Sequence, residues 1–344
     1  MSKTTNTLSQ ILIIQTAFLG DVVLATVLIE KLKQYYPETK IDFLLRKGNE
    51  SLLQQHPKLR KVWIWDKQKN KWKNWWNLLK QIRKQQYDLV INVQRFASMG
   101  LFTALSKAKY TIGFDKNPFS WCFSKSIKHE QENKHEVERN LQLIAQITDN
   151  QPIRPRLYPT LADFEVIKPY QTQPYICLAP TSVWFTKQFP ASQWVNFLKE
   201  LATYQKKEGI SYKIFLLGSP ADKQTCQEIQ QKCQIFSLEI ETLAGKLTLL
   251  QSAALMQKAV MNYVNDSAPV HLASAMNAPV CVVYCSTVPK FGFYPLSEKS
   301  FIVESQEELV CRPCGLHGYS ACPQKHFACA LSIRSEQLLA PLYT

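Results

Sequence analysis

Ile11-Leu12-Ile13-Ile14 runs into Gln15-Thr16-Ala17-Phe18-Leu19-Gly20-Asp21, and residues 22–35 then carry apolar side chains at helical spacing. The apolar run is too short for a helix and stops at a turn containing Gly20, so the segment reads as strand, loop, helix. The unit recurs downstream. Strands are expected at 41–45, 62–65, 88–93 and 110–114, with a helix around 72–86. Strands apolar on both faces and separated by helices predict a parallel sheet covered on both sides.

A polar stretch at 150–174, containing Pro152, Pro155, Pro159 and Pro169, reads as a linker. Beyond it strands are expected at 175–179, 212–217, 260–264 and 280–284, with helices at 192–204, 221–233, 249–258 and 268–276. A chain of 344 residues is too long for one ordinary core. The expectation is α/β with two Rossmann-like, doubly wound domains, 1–165 and 170–344, and a last helix packing back on the first. Such sheets bind ligands beyond the carboxyl ends of their strands. The loops after Ile14, Ala179, Leu217 and Val264 are therefore expected to face a shared cleft.

Composition, 46% hydrophobic and 20% charged, excludes a mainly disordered or fibrous chain. The net charge is +14 and lopsided: residues 1–170 hold 27 Lys/Arg against 15 Asp/Glu, residues 171–344 hold 14 against 12. An anionic partner, whether nucleic acid, phosphorylated substrate or lipid surface, should dock on the first half. Residues 67–84 concentrate this, with seven Lys/Arg, no acid, and Trp72, Trp75 and Trp76 between them. No apolar run approaches the roughly 20 residues of a spanning helix, and the start lacks a signal-peptide layout. The expected setting is cytosolic, where ten Cys are mostly reduced thiols.

Chemistry is sought in the four loops. Asp21 opens a helix, where a carboxylate is a cap worth about 1 kcal/mol or, ionised at a cleft wall, a general base. Lys187, with Thr181 and Ser182 near it, offers the charge and donors that a diphosphate needs. Asp266 or Ser267 can cap the helix that Ala268 and Pro269 begin, making an anion site of its amides, with His271 one turn in. Gly218 ends a strand in a small-residue turn, and Lys246 and Leu247 precede a helix. No G-x-G-x-x-G, P-loop or Asp-x-Asp pair is present, which removes the main support for dinucleotide oxidoreductase, NTPase and metal-bridged transferase readings. Cys311, Cys314, Cys322 and Cys329 leave a structural zinc and free thiols both open.

Taken together, Leu19 to Val23, Thr186 to Pro190, Asn265 to Ala275, Tyr110 to Asp115, His135 to Asn140 and the Cys-x2-Cys tail resemble the bacterial heptosyltransferases, glycosyltransferase family 9. The resemblance implies a GT-B fold, an N-terminal acceptor domain and a C-terminal donor domain. It implies metal-free, inverting transfer of heptose from ADP-heptose to the lipopolysaccharide inner core, with no cofactor. Asp21 matches the family's base, Lys187 its diphosphate lysine, and Asp266, Ser267, Ala268 and His271 its donor motif. Ser and Ala replace the usual Thr and Gly of that motif. The implied partners are a nucleotide sugar and an anionic lipid A–Kdo acceptor at the inner face of the inner membrane, reached by a monomer. Lys69, Lys71, Lys73 and Arg83 are assigned to acceptor or membrane contact. A GT-B enzyme with another nucleotide sugar and a nucleic-acid-binding protein are the competing readings.

Overall fold

The protein is described here by a computed structural model covering residues 8–130 and 133–343. It divides at Tyr158 and Pro159 into two compact units.

The first unit is built on β1 (Gln10–Ile14), β2 (Lys40–Arg46), β3 (Lys61–Trp65), β4 (Leu89–Asn92), β5 (Tyr110–Phe114) and β6 (Lys125–Ile127). All pairs are parallel and the order is β3-β2-β1-β4-β5-β6. Ile13 stands beside Phe43 on one side and Ile91 on the other. Branched residues fill the sheet because both faces are covered. Helices α1 (Leu19–Tyr35), α2 (Lys71–Arg83), α3 (Ala97–Ala104) and α4 (Glu136–Gln142) accompany it. Trp63, Trp65, Trp75, Leu79 and Phe102 centre one core cluster between sheet and helices.

The second unit repeats the plan with β7 (Tyr175–Ala179), β8 (Lys213–Leu216), β9 (Ile240–Thr242), β10 (Met261–Asn265), β11 (Val280–Tyr284) and β12 (Ser300–Glu304), in the order β12-β11-β10-β7-β8-β9. Its helices are α5 (Leu161–Ile167), α6 (Ala191–Glu208), α7 (Lys223–Lys232), α8 (Leu249–Gln257), α9 (Ala268–Met276), α10 (Ala328–Leu331) and α11 (Ser335–Leu339). In both sheets the first and fourth strands are neighbours and the winding reverses between them. That reversal opens a crevice at their carboxyl ends, the usual ligand position of such sheets.

Three differences from the sequence expectation have local causes. The proline-bearing stretch is not all linker: Thr160 accepts the Asp163 amide at 3.2 Å and starts α5, which packs on α8. The second unit therefore begins ahead of residue 165. The end of the chain buries Leu338 and Leu339 in the second unit's own core, where α11 packs on α6 and Tyr263 Oη donates to the Leu338 carbonyl. The strands β6, β9 and β12 are short, half-exposed edges that mix charged with apolar residues, and so give no apolar run.

Candidate active site

In the first unit the chain leaves β1 at Ile14 and turns into α1, with Phe18 in extended conformation at the N-cap. Asp21 is the third residue of the helix, not its cap, and its carboxylate accepts the Phe18 amide at 3.2 Å. The helix amino end and that amide favour a negative charge here. The loop is pinned from several sides: Lys67 Nζ donates to the Thr16 carbonyl at 2.9 Å and Asn49 to the Ala17 carbonyl at 3.2 Å. The Arg46 guanidinium lies 5.0 Å over the Phe18 ring. Half-burial, together with Arg46 and Lys71, lowers the Lys67 ammonium to about 8.

Helix α4 packs on α1 and brings a second carboxyl group to Asp21. Glu136 is buried, 2.9 Å from the Arg139 guanidinium. Burial and then the charge of Asp21 raise its pKa to about 7, against the opposing pull of Arg139 and Arg95. The sequence singled out neither Glu136 nor Lys67, because each acquires its environment from another element.

In the second unit, Lys187 ends a short 3-10 turn after β7 and Asp266 follows β10, so the two meet where the winding reverses. Lys187 Nζ is 2.7 Å from Asp266 Oδ2, which also accepts Thr287 Oγ1 at 2.6 Å. The neighbouring Thr186 hydroxyl oxygen accepts the Tyr319 amide at 2.8 Å and Ser286 Oγ at 3.0 Å. Gln188 donates to the Ser182 carbonyl at 2.7 Å, and the Phe189 amide to Asn265 Oδ1 at 2.9 Å. Thr181 and Ser182 stand half-buried at the start of this loop.

Asp266 is therefore not a helix cap, since its carboxylate is engaged by Lys187 and Thr287. Ser267 occupies the N-cap of α9 without a side-chain cap bond, Ala268 begins the helix, and His271 is buried one turn in, 6.3 Å from the Phe293 ring. Gly218 follows β8, and its carbonyl accepts the Gly245 amide at 3.0 Å, so the turns carrying Gly218, Lys246 and Leu247 lie side by side. Lys246 is exposed and 3.5 Å from Glu241. Arg83 is half-buried, and its Nε donates to the Leu105 carbonyl at 2.6 Å.

Comparison with known proteins decides what this arrangement belongs to. Residues 75–317 match the family described as glycosyltransferase family 9 (heptosyltransferase). The chain belongs to glycosyltransferase family 9. Lipopolysaccharide heptosyltransferase 3 of Escherichia coli K12 is 30% identical over 285 residues, 78% of this chain and 80% of the relative. Among solved structures, E. coli ADP-heptose lps heptosyltransferase II matches with a TM-score of 0.79 at 20% identity, over 97% of each chain. E. coli heptosyltransferase WaaC with ADP-2-deoxy-2-fluoro heptose matches with a TM-score of 0.73 at 16% identity, over 97% of this chain and 99% of that one. The protein is a glycosyltransferase of α/β, GT-B fold.

Within this family-9 chain the cysteine-bearing segment is a strap over the loops that hold Thr186 and residues 285–287. Arg312 donates to the carbonyls of Cys285 and Thr287 at 2.8 Å each and pairs with Glu304 at 2.6 Å. The Cys314 amide binds the Ser286 carbonyl at 2.8 Å. The ten cysteines are free thiols. Cys311 Sγ lies 3.9 Å from His326 Nε2, and among the described residues no three His, Cys, Asp or Glu converge to hold a metal ion. Thr287 and Arg312 support this arrangement without being singled out in the sequence, since Thr287 meets Asp266 and Arg312 meets the Thr287 carbonyl across 21 and 25 residues.

Proposed function

We propose that the protein transfers heptose from ADP-heptose to the lipopolysaccharide core, with inversion and without a metal ion. The observation that carries this reading is Lys187 at the sheet reversal of the second unit, held by Asp266 beside the amino end of α9. Family membership and the heptosyltransferase relatives support the sugar; relatives crystallised with ADP and an ADP-heptose analogue support the donor.

The chemistry follows from the groups present. An acceptor hydroxyl oxygen attacks the anomeric carbon as the bond to the ADP oxygen breaks, and the electron pair leaves on the β-phosphate. Asp21 takes the hydroxyl proton, which requires it to be ionised, and its place in the first turn of α1 favours that. Lys187 and the first amides of α9 stabilise the negative charge growing on the diphosphate. Asp266 orients Lys187 and keeps it from being an unpaired buried cation before the donor arrives. Thr181, Ser182, Gly218, Lys246, Leu247, Ser267, Ala268 and His271 line the proposed nucleotide-sugar side. Arg46 and Lys67, next to the Thr16–Phe18 loop, are placed to receive anionic groups of the acceptor.

Donor choice tests the reading. Purified protein incubated with ADP-heptose and a truncated core acceptor in excess EDTA should transfer sugar at its full rate, and UDP- or GDP-sugars should not substitute. A preference for a UDP-sugar would leave the fold and family standing and remove heptose. Loss of activity in EDTA, restored by a divalent ion, would remove the metal-free mechanism.

A further inference from the structure

One feature of the sequence is not used by the transfer chemistry: the basic, tryptophan-bearing stretch that becomes α2. Trp75, Leu78, Leu79 and Ile82 enter the core, and the Trp75 indole meets Phe102 edge-on at 5.4 Å, which fixes the orientation of the helix. The flank of that buried face is unusual, with Trp72 and Trp76 both meeting the Trp75 ring edge-on. Trp72 and Trp76 remain 57% and 47% exposed, although tryptophan is normally well buried. They stand four residues apart with Lys80 four further on, a single stripe of the helix. Lys69, Lys73 and Lys84 are exposed around that stripe, and none of these four lysines makes an ion pair among the described residues. Trp76 is set by edge-to-face contact with Trp75 at 4.8 Å, so its indole projects from a rigid base.

We infer that this face of α2 is a docking surface for an anionic lipid bilayer, with the indoles of Trp72 and Trp76 at headgroup depth and the four lysines on the phosphates. Indoles prefer that interface because one part of the ring is apolar and the N–H needs a polar partner. Lysines add attraction to an anionic surface, about fivefold in binding for each one close to it. No helix among the described residues is long and apolar enough to cross a membrane, so contact through this face would be peripheral. A nucleic acid fits less well. Gripping a single strand calls for a groove with successive aromatic platforms, whereas these two indoles both stand edge-on to Trp75 on one helix.

The inference does not rest on the transferase reading, and its test needs no turnover. The full-length protein is sedimented with vesicles of phosphatidylethanolamine and phosphatidylglycerol, and separately with vesicles of phosphatidylcholine. It should bind the first and not the second, and release should follow rising salt. Trp72→Ser/Trp76→Ser and Lys73→Glu/Lys80→Glu should each weaken binding roughly tenfold or more, the lysine pair with thermal unfolding unchanged and the tryptophan pair with the fold kept but the midpoint lowered by the lost edge contacts to Trp75. If a double variant does not fold, the salt series and lipid comparison on the unaltered protein still decide. Equal binding to phosphatidylcholine, variants that bind like the parent protein, or a single-stranded oligonucleotide that binds this face in preference to anionic vesicles would each overturn the inference.

Discussion

Lys187 and Asp266 neutralise one another across 2.7 Å, and Thr287 shares the same carboxylate oxygen. In the proposed reaction a diphosphate bound here would meet a lysine already aimed by Asp266, with little reorganisation left for the transition state. Lys187→Ala should therefore weaken ADP affinity by about ten- to a hundredfold, the loss of one charge-assisted bond, and calorimetry with ADP reads it directly. Thr287→Val should act less strongly and in the same direction, because it loosens the aim without removing the charge. Glu136 gives a prediction of opposite character. Its folded pKa of about 7 lies above the unfolded value, so the folded state holds this proton more tightly and stability falls as pH rises from about 4.5 through 7. The loss is about 3 kcal/mol at most. Glu136→Gln should abolish that part of the slope, as seen in unfolding midpoints from pH 5 to 8; an unchanged slope would mean that Glu136 is ionised throughout. At this scale the sequence is a partial guide. Asp21 and Lys187 lie in the loop-to-helix segments that follow β1 and β7, where chemistry is sought in the sequence, but the base role of Asp21 comes from the family resemblance, and Asp266 reads as a helix cap because its two partners come from loops 79 and 21 residues away.

Between elements, the strap at 309–327 matters more than its lack of regular structure suggests. Gly318 has φ +76°, and a Cβ there would come within 2.8 Å of Thr186 Oγ1 and 3.0 Å of Lys187 Cγ. Gly318→Ala should consequently push on the lysine turn and lower donor affinity with only a modest change in folding stability; nucleotide titration against the parent protein measures the difference, and equal affinity would show that the strap does not set Lys187. The elements most readable in advance are those buried on both faces: β1, β4, β7 and β11 announce themselves as apolar runs, and β10 does so less cleanly because Asn262 interrupts it. The edges do not. β6 reads Lys125-Ser126-Ile127 and pairs only with β5, so nothing local distinguishes it from a loop. Helix α4, which brings Glu136 to Asp21, is only seven residues long, and its amphipathic pattern is too brief to stand out.

Over the whole molecule the charge is divided as the candidate functions are. The first 170 residues carry an excess of twelve positive charges and the remainder an excess of two. Binding of an anionic acceptor by Arg46, Lys67 and their neighbours should weaken as salt is raised through and beyond the Debye regime, where screening extends to about 8 Å at physiological strength. Donor binding, proposed at the mostly buried Lys187–Asp266 pair, should respond less. Acceptor and donor KM values measured across a salt series test this, and parallel responses would contradict it. The repeated winding order of the two sheets was foreshadowed by the recurrence of strand, loop and helix, whereas the boundary at Tyr158 was hidden by a proline-bearing stretch that also holds α5. The most direct test of the account is Asp21→Asn, assayed for heptose transfer from ADP-heptose and, on the same preparation, for ADP affinity. Transfer should fall by about a hundred- to ten-thousandfold with ADP affinity unchanged; transfer at the parent rate would contradict the assignment of Asp21 as the base.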